Sequence, residues 1–293
     1  MIPETFEGFH IHHYKEVSST NEEALDLIER GISNETVIIA DRQIEGRGRT
    51  GKSWVSPEGN FYASLVINLL HNNYLDKSLL LLSSQRVTLE SRNQEAWIPV
   101  SSTGMTSDGT GITVGLTSQV TDISKLTELT FVTALAVGNT LLSFVSDSNV
   151  QHKWPNDILI DCKKISGILL EKRSNSNWLI IGIGINVNHA PLPGTTCISN
   201  YGESVSNMDL LKELIINFNK LRKQWLFDGF YAIRKMWLTR AFKMNEQISV
   251  KLADKLYEGI FADINESGKL VLQQKDGSLI YFDAGELFID NAL

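Results

Sequence analysis

Residues 46–54, Gly46-Arg47-Gly48-Arg49-Thr50-Gly51-Lys52-Ser53-Trp54, satisfy a phosphate-loop pattern, and their context decides the fold because it forbids that reading. A P-loop needs a strand before its glycines and a helix directly after them, since the helix N-terminus supplies the amides and dipole that hold phosphate. The strand is available. Thr36-Val37-Ile38-Ile39-Ala40 is β-branched and apolar, although Asp41 to Glu45 separate it from Gly46. The helix is not available, because Trp54-Val55-Ser56-Pro57-Glu58-Gly59-Asn60 follows. Proline with glycine two residues on would remove a hydrogen bond and add backbone entropy in the first turns. What remains is a loop whose glycines let the backbone close on an anion and in which Arg42, Arg47, Arg49 and Lys52 offer donors. A solvated basic loop accounts for the same charges, so alone it indicates phosphate or nucleic acid.

The rest of the chain narrows that choice. At 293 residues it can bury an ample core in one large domain or a large and a small one, and 42% hydrophobic with 21% charged content is ordinary for a globular protein. A formal charge of -7 and a pI near 5.4 argue against a general nucleic-acid binder, whose affinity is built from net basic surface. The arginine loop is a local basic spot on an acidic protein, which favours a small anionic ligand. Two cysteines, Cys162 and Cys197, without CxxC spacing support neither a disulfide framework nor a zinc site. His10, His12 and His13 read as a polar strand face rather than a metal cluster. The N-terminus has acids and proline where a signal peptide needs a basic end, and no apolar run is long enough for a membrane span. We read the protein as cytoplasmic.

Periodicity predicts a strand from Phe9 to Tyr14, then a helix opened by a Thr20/Glu23 capping box and stopped at Gly31. That capping role is the plain account of Ser19, Thr20 and Asn21. A strand over Phe61 to Leu70 and a helix over Ser124 to Phe144 come next, separated by a Ser/Thr/Gly-rich segment, Tyr74 to Asp122, longer than a compact domain usually allows. From Val150 strands are expected over Val150 to Lys153, Ile158 to Ile160, Ile165 to Lys172 and Trp178 to Asn188, with a turn at Trp154-Pro155-Asn156-Asp157. Two helices follow, Asp209 to Phe227 with Ser206 as N-cap and Phe230 to Phe242. From about Asn245 short alternating strands with turns at 265–268 and 275–277 suit a small β-barrel.

Two further motifs carry chemistry. Lys153 stands immediately before Trp154-Pro155, where the proline restricts both residues and so holds the lysine's strand end in one direction. A fixed ammonium there would stabilise negative charge on a phosphorus or carboxylate oxygen, though a solvated hairpin lysine is an equal competitor. Gly182 and Gly184, two apart in a strand, leave a slot on one sheet face for a flat ligand or for another packed element.

Taken in order, Ser18-Ser19-Thr20-Asn21, Gln43 with residues 46–54, Ser56-Pro57-Glu58-Gly59-Asn60-Phe61-Tyr62, Lys153-Trp154-Pro155-Asn156-Asp157, Lys164-Ile165-Ser166-Gly167-Ile168-Leu169-Leu170-Glu171 and Gly182-Ile183-Gly184-Ile185-Asn186 resemble the biotin-protein ligases. Each motif is weak alone; six in the family's order, covering nearly all the chain outside Tyr74 to Asp122, are specific.

The resemblance implies an α+β fold: a mixed sheet with helices of the class II aminoacyl-tRNA synthetase and biotin ligase type over residues 1–244, with an insertion at about 74–122. An SH3-like barrel over 245–293 would follow. It implies that biotin and MgATP form biotinyl-5'-adenylate, which a lysine of a biotin carboxyl carrier domain then attacks. Ser19, Thr20, Asn21 and Gln43 would contact the ureido ring, with Gly46, Gly48, Gly167, Gly182 and Gly184 lining the biotin site. Arg47, Arg49 and Lys153 would be catalytic and also touch biotin, and Arg49, Lys52, Trp54, Asn156 and Asn186 would bind the nucleotide. No metal ligands are assigned beyond the magnesium that accompanies ATP.

Lys52 departs from the family's usual arginine, keeping charge but losing the fork. The chain reaches its Ser-Thr-Asn motif almost at once, so no helix-turn-helix and no operator binding are expected, and a homodimer stays open. Rival readings are a lipoate-attaching ligase or transferase, a non-catalytic biotin or adenylate binder, and, most distantly, a P-loop ATPase, which a helix directly after Lys52 would revive.

Overall fold

The computed structural model describes residues 4–69, 123–145, 149–172, 176–203, 205–252, 255–283 and 286–288. These belong to one compact unit, Met1–Asn72 with Ile123–Leu293, and the insertion expected at Tyr74 to Asp122 lies outside the described residues. Its frame is an eight-stranded mixed sheet ordered β1-β2-β3-β4-β8-β7-β6-β5. The strands are β1 (Glu4–Phe6), β2 (Phe9–Val17), β3 (Thr36–Gln43), β4 (Phe61–Asn68), β5 (Val150–Lys153), β6 (Asp157–Ile160), β7 (Lys163–Glu171) and β8 (Trp178–Ile185). Only β2 and β3 pair in parallel, joined through α1 (Thr20–Glu29).

Side chains of a strand alternate between its two faces, and the sequence uses that alternation to divide labour. On β4 the residues Phe61, Ala63, Leu65 and Ile67, and on β8 Leu179, Ile181, Ile183 and Ile185, join one large core. That core also holds residues of α2 (Ile123–Leu142), α3 (Asn207–Asp228) and α4 (Phe230–Leu238). The intervening residues face the other way. At one end Ile38, Val66 and Ile180 pack against Ala24 of α1. At the other end of that face stand Tyr62, Ser64, Gly182 and Gly184, paired Tyr62 with Gly184 and Ser64 with Gly182. With no bulky apolar side chain on the paired glycines, this end of the face can admit other groups.

Most elements lie where periodicity puts them, with instructive differences. The helix α1 has Ser19 as its N-cap without a side-chain cap, so the expected Thr20/Glu23 capping box does not form. The Thr20 amide and hydroxyl donate instead to Gln43 Oε1 at 2.8 and 3.1 Å, and Glu23 accepts from the Tyr14 hydroxyl. Tertiary partners have outcompeted the local cap. The predicted stop at Gly31 holds, with φ +87°. Ser206 does cap α3, its Oγ accepting from the Asp209 amide at 3.1 Å. The last helix ends at Leu238 rather than Phe242. Beyond it the His152 amide donates to Arg240 O and the Phe242 amide to His152 O, both at 2.8 Å, so this stretch joins the edge strand β5.

The C-terminal strands, β9 (Gln247–Leu252), β10 (Lys255–Ile264), β11 (Leu270–Gln273), β12 (Leu279–Phe282) and β13 (Glu286–Phe288), form an antiparallel sheet ordered β12-β11-β10-β9-β13. It is the small C-terminal element expected from the alternating sequence. Its β10–β11 turn reaches the main sheet, where the buried Trp154 indole donates to Gly268 O at 3.2 Å.

The imidazole of His152 is fully buried, stacked on Trp237 at 5.8 Å, and neither ring nitrogen has a hydrogen-bond partner among the described residues. Burial, reinforced by the Arg240 charge, lowers its pKa to about 3. The folded value lies below the unfolded one, so the neutral ring contributes its full share of stability above about pH 6.5 and loses it as pH falls. Unfolding free energy should therefore decline from pH 7 to 5.5 with a slope approaching about 1.4 kcal/mol per pH unit. In His152→Leu the decline should be visibly shallower in urea titrations, and an unchanged slope would assign it to other groups.

Candidate functional site

A cleft of about 680 Å³ opens over the glycine end of the main sheet. It brings together Ser19, Thr20 and Asn21 from the start of α1, Gln43 from the end of β3, and Arg47, Gly48, Arg49, Lys52 and Trp54 from the glycine-rich loop. Lys153 and Asn156 from the β5–β6 turn, Gly167 from β7, and Gly182, Gly184 and Asn186 from β8 complete that set. Of the residues singled out from sequence, Gly46 and Arg42 do not line the cleft. Arg42 pairs instead with Glu16 Oε2 at 3.2 Å. Gly46 is tucked inside the loop, where a Cβ would lie 2.4 Å from Trp54 O and 2.5 Å from Ser56 Oγ. Two lining residues come from an unexpected place: Lys251 and Leu252, at the end of β9.

No helix follows Lys52. The loop instead folds back on itself, Arg47 bridging Ser53, the Gly48 amide donating to Lys52 O at 2.7 Å and the Trp54 amide to Gly46 O at 2.8 Å. A single 3-10 turn over Arg49–Gly51 closes its tip. The chain then runs without helix to β4, as Pro57 and Gly59 require. This geometry disposes of the P-loop alternative.

The hairpin delivers Trp54 onto the sheet. Gly167 and Gly184 are cross-strand partners, and their missing side chains leave the space the indole fills. A Cβ on Gly184 would stand 2.5 Å from Trp54 Cε2, and one on Gly167 2.9 Å from Cζ3. Gly182 is matched to Asn21 in the same way, with a Cβ falling 2.3 Å from Asn21 Oδ1. The slot expected for a flat ligand is thus occupied by two of the chain's own side chains.

One end of the cleft is a ladder of hydrogen bonds. Asn21 Nδ2 donates to Glu171 Oε2 at 2.7 Å, while Ser64 Oγ lies 2.6 Å from Asn21 Oδ1 and 2.8 Å from Thr20 Oγ1. Beyond Thr20 comes Gln43, whose Nε2 donates to Ser56 Oγ at 2.9 Å, and Ser56 in turn donates to Trp54 O. Buried polar groups that are fully paired hold one geometry firmly. Ser64 escaped the sequence reading; its signal was a lone hydroxyl inside the apolar run Phe61-Tyr62-Ala63-Ser64-Leu65-Val66-Ile67. Asn60 was quoted within a motif but given no role; its Oδ1 gathers the amides of Val187, Asn188 and His189 at 2.9, 3.0 and 2.9 Å, fixing the chain beyond β8.

The other end is cationic. Arg49 Nη1 donates to Asn156 Oδ1 at 3.2 Å, and Lys164 Nζ pairs with Asp157 Oδ1 at 2.7 Å while lying 5.2 Å from the Trp54 ring centre. The Lys153 ammonium has no hydrogen-bond or ion-pair partner among the described residues. Burial holds its pKa below the ordinary lysine value, the Lys164 and Lys52 charges push the same way, and Asp157 opposes them. Arg49 is lowered by burial too, with Asp157 again opposing. Cations crowded and desolvated in this way are stabilised by a bound anion. Arg47 points elsewhere, to Glu22 Oε2 at 3.0 Å and Glu171 Oε2 at 2.8 Å. Among the described residues no group of three His, Cys, Asp or Glu stands together as a metal site.

The chain belongs to the biotin/lipoate A/B protein ligase family, which it matches over residues 14–106 and 107–188, and residues 243–290 match the biotin protein ligase C-terminal domain. It is 29% identical over 283 residues to a biotin--[acetyl-CoA-carboxylase] ligase of Paracoccus denitrificans, covering 92% of this chain and 96% of that one. It is 25% identical to the bifunctional ligase/repressor BirA of Bacillus subtilis, over 92% of this chain and 71% of the relative. Its fold is that of the biotin protein ligase from Aquifex aeolicus solved in complex with biotin and ATP, with a TM-score of 0.69 at 23% identity, covering 97% and 98% of the two chains.

The Trp54–Gly184 contact makes a direct prediction. In Gly184→Ala the added methyl should lift the indole from the sheet. With the six tryptophans replaced by 5-fluorotryptophan, the resonance assigned through Trp54→Phe should move toward the solvent-exposed position. An unmoved Trp54 resonance would show that the indole does not rest on Gly184.

Proposed function

We propose that the protein is an ATP-dependent biotin-protein ligase. It joins the biotin carboxylate to the α-phosphorus of ATP, releasing pyrophosphate, and then passes the biotinyl group to a lysine ε-amine of a biotin carboxyl carrier domain, releasing AMP. The observation that carries this reading is the division of one cleft into a hydrogen-bonding end and a cationic end. A cyclic urea needs both donors and acceptors, which Asn21, Thr20, Ser64 and Gln43 supply on rigid elements. A carboxylate meeting a triphosphate needs positive charge, which Arg49, Lys52, Lys153 and Lys164 supply.

In this scheme Ser19, Thr20, Asn21 and Gln43 hold the ureido ring, and Gly182, Gly184 and Gly167 shape the biotin site by letting Asn21 and Trp54 lie close against the sheet. Lys153 is the ammonium placed between the two reacting anions. A carboxylate attacking phosphorus needs no strong base, but two anions must be brought together in a dry site. A lysine whose ammonium has no hydrogen-bond or ion-pair partner among the described residues is placed to serve them both. Gly48 and Arg49 cover the carboxylate and phosphate, Arg47 lines the biotin site from its seat on Glu22 and Glu171, Trp54 and Lys52 enclose the nucleotide, and Asn156 and Asn186 contact it. Magnesium would accompany ATP and would supply charge neutralisation at its triphosphate.

Residues 1–244 form the catalytic domain, and residues 245–293 form a second one that closes the cleft through Lys251 and Leu252. We read the reaction as cytoplasmic, a compartment that supplies its ATP. Among the described residues no helix is long and apolar enough to cross a membrane.

Biotin-dependent exchange of labelled pyrophosphate into ATP tests the reading. Exchange with biotin is expected; none with magnesium-supplied protein would refute it, and exchange with lipoate alone would select the lipoate ligases. Lys153→Ala should lower exchange by at least about a hundredfold, the scale of one electrostatic donor to a transition state, with an unchanged melting temperature. Near-normal exchange would remove Lys153 from its role.

A further inference from the structure

The reading above leaves Glu171 without a function. It stands at the end of β7, and one of its oxygens, Oε2, accepts from Asn21 Nδ2 at 2.7 Å and from Arg47 Nη2 at 2.8 Å. The first partner belongs to the rigid pocket, the second to the glycine-rich hairpin. Arg47 completes its fork on Glu22 Oε2 at 3.0 Å, a residue of α1 next to Asn21. A single carboxylate atom therefore joins the hairpin to the pocket, and the pocket continues as the ladder from Asn21 through Ser64 and Thr20 to Gln43, Ser56 and back to Trp54 O. The hairpin is tied at both of its ends to the same hydrogen-bonded chain.

Resting on the ligase reading, we propose that Glu171 is a positioning residue. It clamps Arg47 and so holds the glycine-rich hairpin down over the cleft, and it orients Asn21 by occupying its amide N–H and leaving Oδ1 to Ser64. A mixed anhydride is open to water, and a hairpin held shut keeps it in place until the carrier lysine arrives. The chemistry needs nothing added: Glu171 exchanges no proton and forms no bond, and it acts through charge-assisted hydrogen bonds alone. Arg47 and Glu171 are 36% and 29% exposed, so solvent screens the pair and its effect is modest.

Two independent readings test the clamp on the full chain. The hairpin carries trypsin sites at Arg49 and Lys52, and native-state cleavage there reads its opening without reference to catalysis. Glu171→Gln should raise cleavage at these two sites roughly fivefold, as expected for losing a partly screened charge pair, with cleavage elsewhere and the melting temperature unchanged. Arg47→Met should do the same, and the double variant should add nothing further. Glu171→Asp, one methylene shorter, should fall between parent and Gln and serves if Gln fails to fold.

In the ligase assay, Glu171→Gln should increase AMP released per biotin transferred to a carrier domain by a similar roughly fivefold factor, while the ATP KM stays near the parent value. Hairpin cleavage within twofold of the parent, or a double variant whose effects multiply, would overturn the clamp. A parent protein without pyrophosphate exchange would instead remove the ligase reading, and the trypsin comparison would still decide whether Glu171 holds the hairpin.

Discussion

The two-residue repeat of β4 and β8 is the constraint on which the rest of the molecule depends. Because neighbouring side chains face opposite ways, each of these strands holds a continuous apolar row against α2, α3 and α4 while presenting a row of different chemistry to the other side. Shifting either strand by one residue would drive Gly182, Gly184 and Ser64 into the core and push isoleucines and leucines into the cleft. Burial of the helix-facing row thus fixes where the polar row stands, and the site inherits its precision from the core. Trp54 can lie on the sheet only because Gly184 and Gly167, held opposite each other by the β7–β8 register, both lack a side chain.

On that platform the cleft separates two kinds of recognition. The ladder from Glu171 to Ser56 has nearly every donor and acceptor matched within the protein, so a ligand entering it competes with internal partners and gains selectivity from the penalty for mismatch. The cationic end works differently. Lys153 and Arg49 are desolvated by burial, and Lys153 also feels the Lys164 and Lys52 charges. Its free energy falls when anions arrive. One end discriminates by geometry and the other attracts by charge.

Legibility in the sequence followed the range of the forces involved. Strands and helices governed by periodicity lay close to their expected places, and the absence of a helix after Lys52 was readable from Pro57 and Gly59 alone. The cap of α1 was misread because Thr20 found Gln43, 23 residues away, and no local rule sees that distance. The end of α4 was misread for the same reason, since Arg240 and Phe242 are drawn off to His152. The cleft's residues were named through family motifs, and physical reading alone had reached only the loop arginines, Lys52, Lys153 and the paired glycines. Ser64 was hidden because a serine in an apolar strand reads as noise until its register opposite Gly182 is known. Lys251 and Leu252 were hidden because alternation marks a strand but not what the end of that strand approaches.

The contact of Trp154 with Gly268 spans 114 residues, and that of Arg47 with Glu171 spans 124. The cleft is therefore assembled from segments that leave the ribosome far apart in time. Its hydrogen-bonding pocket can form once β8 and the helices α3 and α4 that bury the sheet's other face have emerged, but the turn beside Lys153 gains its indole anchor, and the cleft its last wall, only when β9 to β11 have folded. Order of synthesis thus imposes an order of competence, in which a nascent chain has the means to hold a small molecule before it has the full enclosure needed to keep a reactive one.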